Sequence, residues 1–367
     1  MSKNDQEQRE AVIQLLEGRA EVGGRFTNLR CLDNGTPGTF SLLFSASDSA
    51  MHCDVALKFL LPNWTGSYRD DSFEREAVLL EELRGQPDII QLIAPQSQFT
   101  EILTAGNGMQ FSVSFSYYVL ERAKTDIGAI IADEEWSAEE LLVAFRAMCR
   151  SVQRLHSKSI AHRDLTPPNF LVMADRTIRM SDLGTARRLD GVTPPLATYT
   201  GPPGDLRYSA PEMLAIVHDE MPSIAFQADF FSLGAILFEL FSGTILGSRI
   251  YDRLITELPQ VMSLVKTGRR RQVFDQLIGT IADARIIPSV STFGASVPGC
   301  ILRPIDDLVR RLASLDYRKR LCEFPRIFNR VNACLLVLRN EQKYKLWLAE
   351  KRRRRDAARL VTIRSHV

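Results

Sequence analysis

The sequence predicts an α+β fold of two lobes, a small β-rich one followed by a larger α-helical one. Three observations carry this. Residues 26–60 hold the strand-like runs "FSLLFSA" and "DVALKFL", broken by the turn-forming stretches "DNGTPG" and "SDSAMHCD". From about residue 137 the pattern turns helical, beginning with "SAEELLVAFRAMCRSVQRLH". The most apolar stretch, "ADFFSLGAILFELFSG" (228–243), is short and carries Asp229 and Glu239, which suits a buried helix better than a membrane span.

Taken in order, residues 1–21 read as a helical extension. They are polar and amphipathic, unlike a secretory signal. The first lobe is expected over 22–121. Within it "DSFEREAVLLEELR" (71–84) sets Phe73, Ala77, Leu80 and Leu83 at helical spacing, and two further strands lie near "DIIQLIA" and "FSVSFSYYVLE". The second lobe is expected over 122–325, with the boundary near Glu121–Asp126. Ser137 and Glu140 have the spacing of a capping box, in which each satisfies a backbone N–H of the other. A Gly-, Pro- and Thr-rich loop covers 189–208; loops of that length are commonly functional. Residues 326–367 form a basic helical extension.

Composition sets few limits on function. The 367 residues are 45% hydrophobic and 25% charged, as in an ordinary globular protein, and the net charge is +2. That charge is uneven: Arg339–Arg364 holds ten Lys/Arg against three Asp/Glu, leaving a mildly acidic body. Six cysteines and five histidines show no zinc-like spacing, so free thiols in a reducing, cytoplasmic compartment are expected.

The chemistry lies in a set of short motifs. "VALK" (55–58) alone is a strand lysine like many others. Glu76 follows 18 residues later on a helix, and a strand–helix Lys–Glu pair is a way to hold an ammonium toward phosphate oxygens. "HRDLTPPN" supplies Asp164, a candidate base, and Asn169, a candidate metal ligand. "SDLG" (181–184) adds the carboxylate of Asp182, and "SAPE" closes the series at 209–212. Each is weak alone; their order is not.

In this order the motifs resemble those of the protein-kinase superfamily, in particular the eukaryotic-like (Hanks-type) Ser/Thr kinases, over about residues 22–325. The resemblance implies a bilobal kinase fold that transfers the γ-phosphate of ATP, with Mg²⁺, to protein hydroxyls. It implies that Lys58 contacts the ATP phosphates, that Glu76 is its partner, and that Asp164 is the catalytic-loop base. Asn169 and Asp182 would be the Mg²⁺ ligands; two hard oxygen donors suit an ion that keeps phosphate oxygens as its other ligands. Leu120 would line the adenine site, Glu121 and Ala123 would meet adenine through their backbones, and Asp126 would reach ribose. Arg163 would answer a phosphorylated activation loop, where Thr198 and Thr200 are candidate phosphosites. Asp229 and Arg320 would be structural, bracing the catalytic loop and pairing with Glu212.

Three departures stand out. In "NGTPGTFSLLFSA" Gly38 takes the second glycine position of the phosphate loop, with Phe40 at its tip, but Thr36 and Ser41 replace the first and third glycines. Thr166 stands where lysine is usual in the catalytic loop, removing a cation from the transition state. Asp205 stands where threonine is usual, and a Thr166–Asp205 hydrogen bond is one expectation for the altered couple. The rival reading is an ATP-binding pseudokinase acting as scaffold or switch. A small-molecule phosphotransferase on a related fold would lack "APE" and the "DFFSLG" motif. Protein substrates are the implied partners, and the 339–364 tail suits an acidic partner or an anionic surface. A helix that packs Trp347 back onto the second lobe is the alternative for that tail.

Overall fold

The computed structural model describes residues 3–32, 41–104, 109–133, 136–189, 204–217, 221–250, 265, 268–281, 287–293 and 297–364. The first lobe comprises α1 (Lys3–Glu17), β1 (Glu21–Val22), β2 (Phe26–Cys31), β3 (Ser41–Asp48), β4 (Cys53–Leu60), α2 (Tyr68–Glu82), β5 (Leu92–Thr104) and β6 (Gln110–Glu121). Its strands form one antiparallel sheet in the order β1-β2-β3-β4-β6-β5.

Strand alternation divides this sheet into two chemically different faces. Leu57 and Phe59 of β4, with Phe115, Tyr117 and Val119 of β6, build an outer core that α1 covers with Leu16, Val12 and Ile13. Ala56, Leu60, Tyr118 and Leu120 face the other way, onto Phe73, Ala77 and Leu80 of α2 and Leu83 at its C-terminal cap. The apolar spacing in 71–84 thus marks the packed face. Ser67 caps the helix, accepting from Arg69 N–H, and so starts it earlier than the apolar pattern alone shows.

The second lobe begins with β7 (Thr125–Asp126) and α3 (Ile127–Asp133). It continues with α4 (Ala138–Ser157), β8 (Ile160–Ala161), β9 (Phe170–Val172), β10 (Ile178–Met180) and β11 (Arg187–Arg188). Then come α5 (Pro211–Leu214), α6 (Ile224–Ser242), α7 (Gly247–Ile250), α8 (Arg270–Ile281), α9 (Gly299–Leu312) and α10 (Phe324–Arg364). The strands pair as β10-β9-β7 and β11-β8, two small sheets that bracket the loop 162–169. The Ser137–Glu140 capping box is formed at the start of α4.

Helix α6 is long and apolar enough to cross a membrane, yet it is buried in the protein core, as its interior Asp229 and Glu239 led one to expect. Gly234 lets α9 approach it; a Cβ there would lie 2.7 Å from the Ala313 backbone nitrogen. All six cysteines are free. Helix α10 has two halves. Ile327, Val331, Cys334, Leu335 and Leu338 are buried on the second lobe. Beyond them Trp347 is 55% exposed, stacked on Tyr344 and covered by Lys351, so it does not pack back onto the lobe.

Candidate active site

The sheet register brings the first site residue into position. On β4, Lys58 pairs across the ladder with Leu43 and Tyr118, and alternation points it to the α2 side with Ala56 and Leu60. Its ammonium donates to Glu76 Oε2 at 2.7 Å and to Asp182 Oδ1 at 3.3 Å. Burial works against that charge, but the Asp182 and Glu76 carboxylates outweigh it and hold the lysine pKa well above its usual value. The same contact, above all the Lys58 charge, keeps Asp182 below the usual carboxylate range. One lysine therefore joins β4, α2 and the "SDLG" turn.

Asp182 takes up a left-handed conformation, φ 59° and ψ 64°, which aspartate tolerates better than most residues. The turn after it is fixed from α2. Ser72 Oγ donates to the Gly184 carbonyl at 2.6 Å, and Arg75 donates to the same oxygen at 3.0 Å. A Cβ on Gly184 would meet Ser72 Oγ at 2.8 Å, so glycine is required for this approach. Neither Ser72 nor Arg75 stood out in the sequence; Ser72, four residues before Glu76, shares its face of α2, and Arg75, three residues after Ser72, is the neighbour of Ser72 on the helix surface.

The loop 162–169 is held from beneath. Asp229 accepts from the backbone N–H groups of His162 and Arg163 at 2.9 and 2.8 Å, and from His156 Nε2 at 2.8 Å. His162 donates to the Ser181 carbonyl at 3.1 Å and takes the Asp164 N–H on Nδ1 at 3.3 Å; burial lowers its pKa, so the ring is neutral. Arg163 donates to the Thr185 carbonyl. Asn169 Nδ2 donates to the Asp164 carbonyl at 2.8 Å, which leaves its Oδ1 for other contacts. The Asn169 carbonyl accepts from Ser181 N–H at 2.9 Å, tying this loop to the residue before Asp182. Further away, Arg320 clasps Glu212 at 2.5 and 3.1 Å with both side chains fully buried.

Asp164 itself lies under the end of the activation segment. Asp205 N–H donates to its Oδ1 at 2.9 Å, and Gly204, at φ 81°, sits so close that a Cβ would lie 2.6 Å from that oxygen. Burial first, then the negative charges of Asp182 and Asp205, push the Asp164 pKa up to about 7. The expected Thr166–Asp205 hydrogen bond is not formed. The Asp205 carboxylate instead accepts from Arg207, through N–H at 2.9 Å and the guanidinium at 2.6–3.0 Å. Arg207, like Ser72 and Arg75, did not stand out in the sequence.

At the lobe boundary, Leu120 faces inward and the Glu121 N–H is taken by the Gln91 carbonyl at 3.0 Å. The Glu121 side chain pairs with Arg179. Among the described residues no protein group bonds the Ala123 backbone, so its N–H and carbonyl are open to a ligand. Asp126 accepts from Ala129 N–H at 3.0 Å on Oδ1, capping α3 and leaving Oδ2 for other contacts. Gly38, Thr198 and Thr200 lie outside the described residues, as do Thr36 and Phe40.

The protein kinase domain family matches residues 35–329, spanning both lobes and every motif above. The chain belongs to the protein kinase family. The kinase is similar to extracellular signal-regulated kinase 2 of Dictyostelium discoideum, 23% identical over 295 residues that cover 78% of this chain and 72% of that one. Cell division control protein 2 homolog 3 of Trypanosoma brucei brucei is 27% identical over 233 residues, 64% of this kinase and 68% of that protein. Mitogen-activated protein kinase 15 of Xenopus laevis is 23% identical over 299 residues, 77% of this kinase but 46% of the relative.

Proposed function

We propose that the kinase transfers the γ-phosphoryl group of Mg-ATP to Ser/Thr hydroxyls of protein substrates, itself included. The observation that carries this reading is the Lys58 bridge, which joins Glu76 and Asp182 from opposite sides of the cleft at 2.7 and 3.3 Å. Phosphoryl transfer needs positioning and charge neutralisation more than covalent chemistry, and this bridge supports both. Lys58 would orient the phosphates, Ala123 would bond the adenine edge through its backbone, and Asp126 Oδ2 would take a ribose hydroxyl. Magnesium, held by Asp182 and Asn169 Oδ1, would neutralise charge on the phosphoryl oxygens; this pair of hard oxygen donors fits it. Asp164 would accept the proton of the substrate hydroxyl once the Gly204–Asp205 turn yields to substrate. Arg163, which donates to the Thr185 carbonyl next to the Gly184 carbonyl that Arg75 of α2 holds, would receive a phosphate on Thr198 or Thr200. The basic half of α10 would recruit an acidic partner or an anionic surface.

The cover on Asp164 and the missing cation at Thr166 favour a second reading, a pseudokinase that binds nucleotide without turnover. Incubation with labelled ATP and Mg²⁺, alone and with generic protein acceptors, separates the two. Transfer above the level of Asp164→Asn and Asp182→Ala is expected. Nucleotide binding with no transfer above those variants would select the pseudokinase.

A further inference from the structure

Beside the Lys58 bridge lies a buried hydroxyl, that of Tyr118. It is the second of the two tyrosines in "YYVLE", and strand alternation separates them. Tyr117 joins the outer core, with its ring 5.4 Å from that of Phe59. Tyr118 faces α2 and is fully buried. Its ring lies 4.7 Å from that of Phe73, and its backbone pairs with Lys58 across the ladder. Phe73 precedes Glu76 by three residues, so the two are neighbours on the α2 surface that Tyr118 meets.

Among the described residues, no acceptor stands at full hydrogen-bond geometry to this hydroxyl. A buried hydroxyl in that state destabilises a fold, and phenylalanine would fill the same space without the penalty. The surroundings supply a reason for the oxygen. Burial first, then the Glu76 charge, hold the phenol pKa well above its usual value, so the group stays protonated and offers a hydrogen to an anion. Of the two charged neighbours that act on it most, Lys58 is a donor only, whereas Glu76 is an acceptor. Glu76 has use for a donor. Burial raises its pKa, and the cation that opposes this, Lys58, is shared with Asp182. The Tyr118 hydroxyl lies close enough to oppose the same rise. Nucleotide phosphates would draw on the same ammonium and leave Glu76 less of it. We infer that Tyr118 is a positioning residue: its hydroxyl closes on Glu76 as a second donor and keeps that carboxylate aimed at Lys58 while the lysine serves the phosphates. The role of Lys58 rests on the phosphotransfer reading; the Tyr118–Glu76 bond itself does not.

Tyr118→Phe removes one oxygen and keeps the ring on Phe73. Equilibrium urea unfolding of wild type, Tyr118→Phe, Glu76→Leu and the double variant forms a cycle that needs no activity. Tyr118→Phe should lower the urea midpoint by about 0.3 M or more in the wild-type background. In Glu76→Leu, where the carboxylate is gone, the same change should leave the midpoint equal or raise it. Calorimetric binding of the non-hydrolysable analogue adenylyl imidodiphosphate with Mg²⁺, at about pH 5 to 8, reads the positioning role. Tyr118→Phe should weaken this binding about threefold or more at pH 7. The charged and titratable groups that face Glu76 are Lys58 of β4, Tyr118 of β6 and Asp182 of the turn after β10. A Glu76 deprived of its donor takes up a proton sooner, so the fall in affinity toward acid should begin about 0.5 pH higher in Tyr118→Phe. The nucleotide phosphates titrate alike with both proteins and cancel in the comparison. An equal or raised midpoint for Tyr118→Phe alone, additive losses in the cycle, or superimposable pH profiles would overturn the inference. Coupling in the cycle with no nucleotide bound by any variant would overturn the phosphotransfer reading, and the positioning role with it, while the bond stood.

Discussion

At position 166 a threonine stands where a cation is expected, and it is nearly buried. The substitution was legible in the sequence because the motif around it is so regular; its partner was not. Linear order suggested Asp205, the other altered position, but side-chain direction within a turn cannot be read from spacing. The Asp205 carboxylate is held instead by Arg207, two residues on, through both its backbone N–H and its guanidinium. A clearer case of one residue governed by local charge is Asp48, at the end of β3. It accepts from Arg25 at 2.8 and 2.6 Å and from Ala50 N–H at 2.9 Å, and the Arg25 contact holds its pKa down at about 2. A carboxylate depressed in the folded state stabilises above its unfolded pKa, near 4, and loses that contribution as pH falls toward 2. Asp48→Asn should therefore cost about 1–2 kcal/mol at pH 7, a figure that allows for the partial exposure of Arg25. The gap to wild type should shrink by about half at pH 3. Urea unfolding at both pH values measures it; an equal gap at each would exclude the linkage.

Secondary-structure elements were the more legible level wherever the hydrophobic period was clean. The spacing of Phe73, Ala77, Leu80 and Leu83 marked the inward face of α2, and the Ser137–Glu140 box marked the start of α4. Less legible was how closely the elements approach, because that depends on absent rather than present side chains. Gly234 is the example. Within a helix an alanine would normally be favoured over glycine by about 1 kcal/mol. Here a Cβ would sit 2.7 Å from the Ala313 nitrogen and 2.8 Å from the Leu312 Cβ, against backbone that cannot move without shifting α9. Overpacking of this kind costs about 1–3 kcal/mol and outweighs the propensity gain. Gly234→Ala should lower stability by about 1 kcal/mol or more in equilibrium urea unfolding. A stabilised variant would mean that α6 and α9 pack less tightly than described.

For the molecule as a whole, the question is where the folded body ends, since a single helix, α10, runs from its core into solvent. Composition signalled the basic second half, but nothing in the charge pattern showed that the first half completes the second lobe. Phe324, Ile327, Val331, Leu335 and Leu338 are buried against it, while Leu346 and Trp347 are exposed. Burying such a side chain is worth about 1.5–3 kcal/mol, so these five together contribute on the order of 10 kcal/mol. That matches the whole net stability of a typical domain, about 5–15 kcal/mol. Truncation after residue 338 removes no described side chain that is fully buried and should leave the thermal midpoint within about 2 °C of wild type. Truncation after residue 323 removes all five anchors and should yield a chain without a cooperative transition. Thermal unfolding followed by circular dichroism compares the two directly. A shorter chain that still melted cooperatively near the wild-type midpoint would show that the lobe closes its core without α10. The helix would then be an appendage along its entire length.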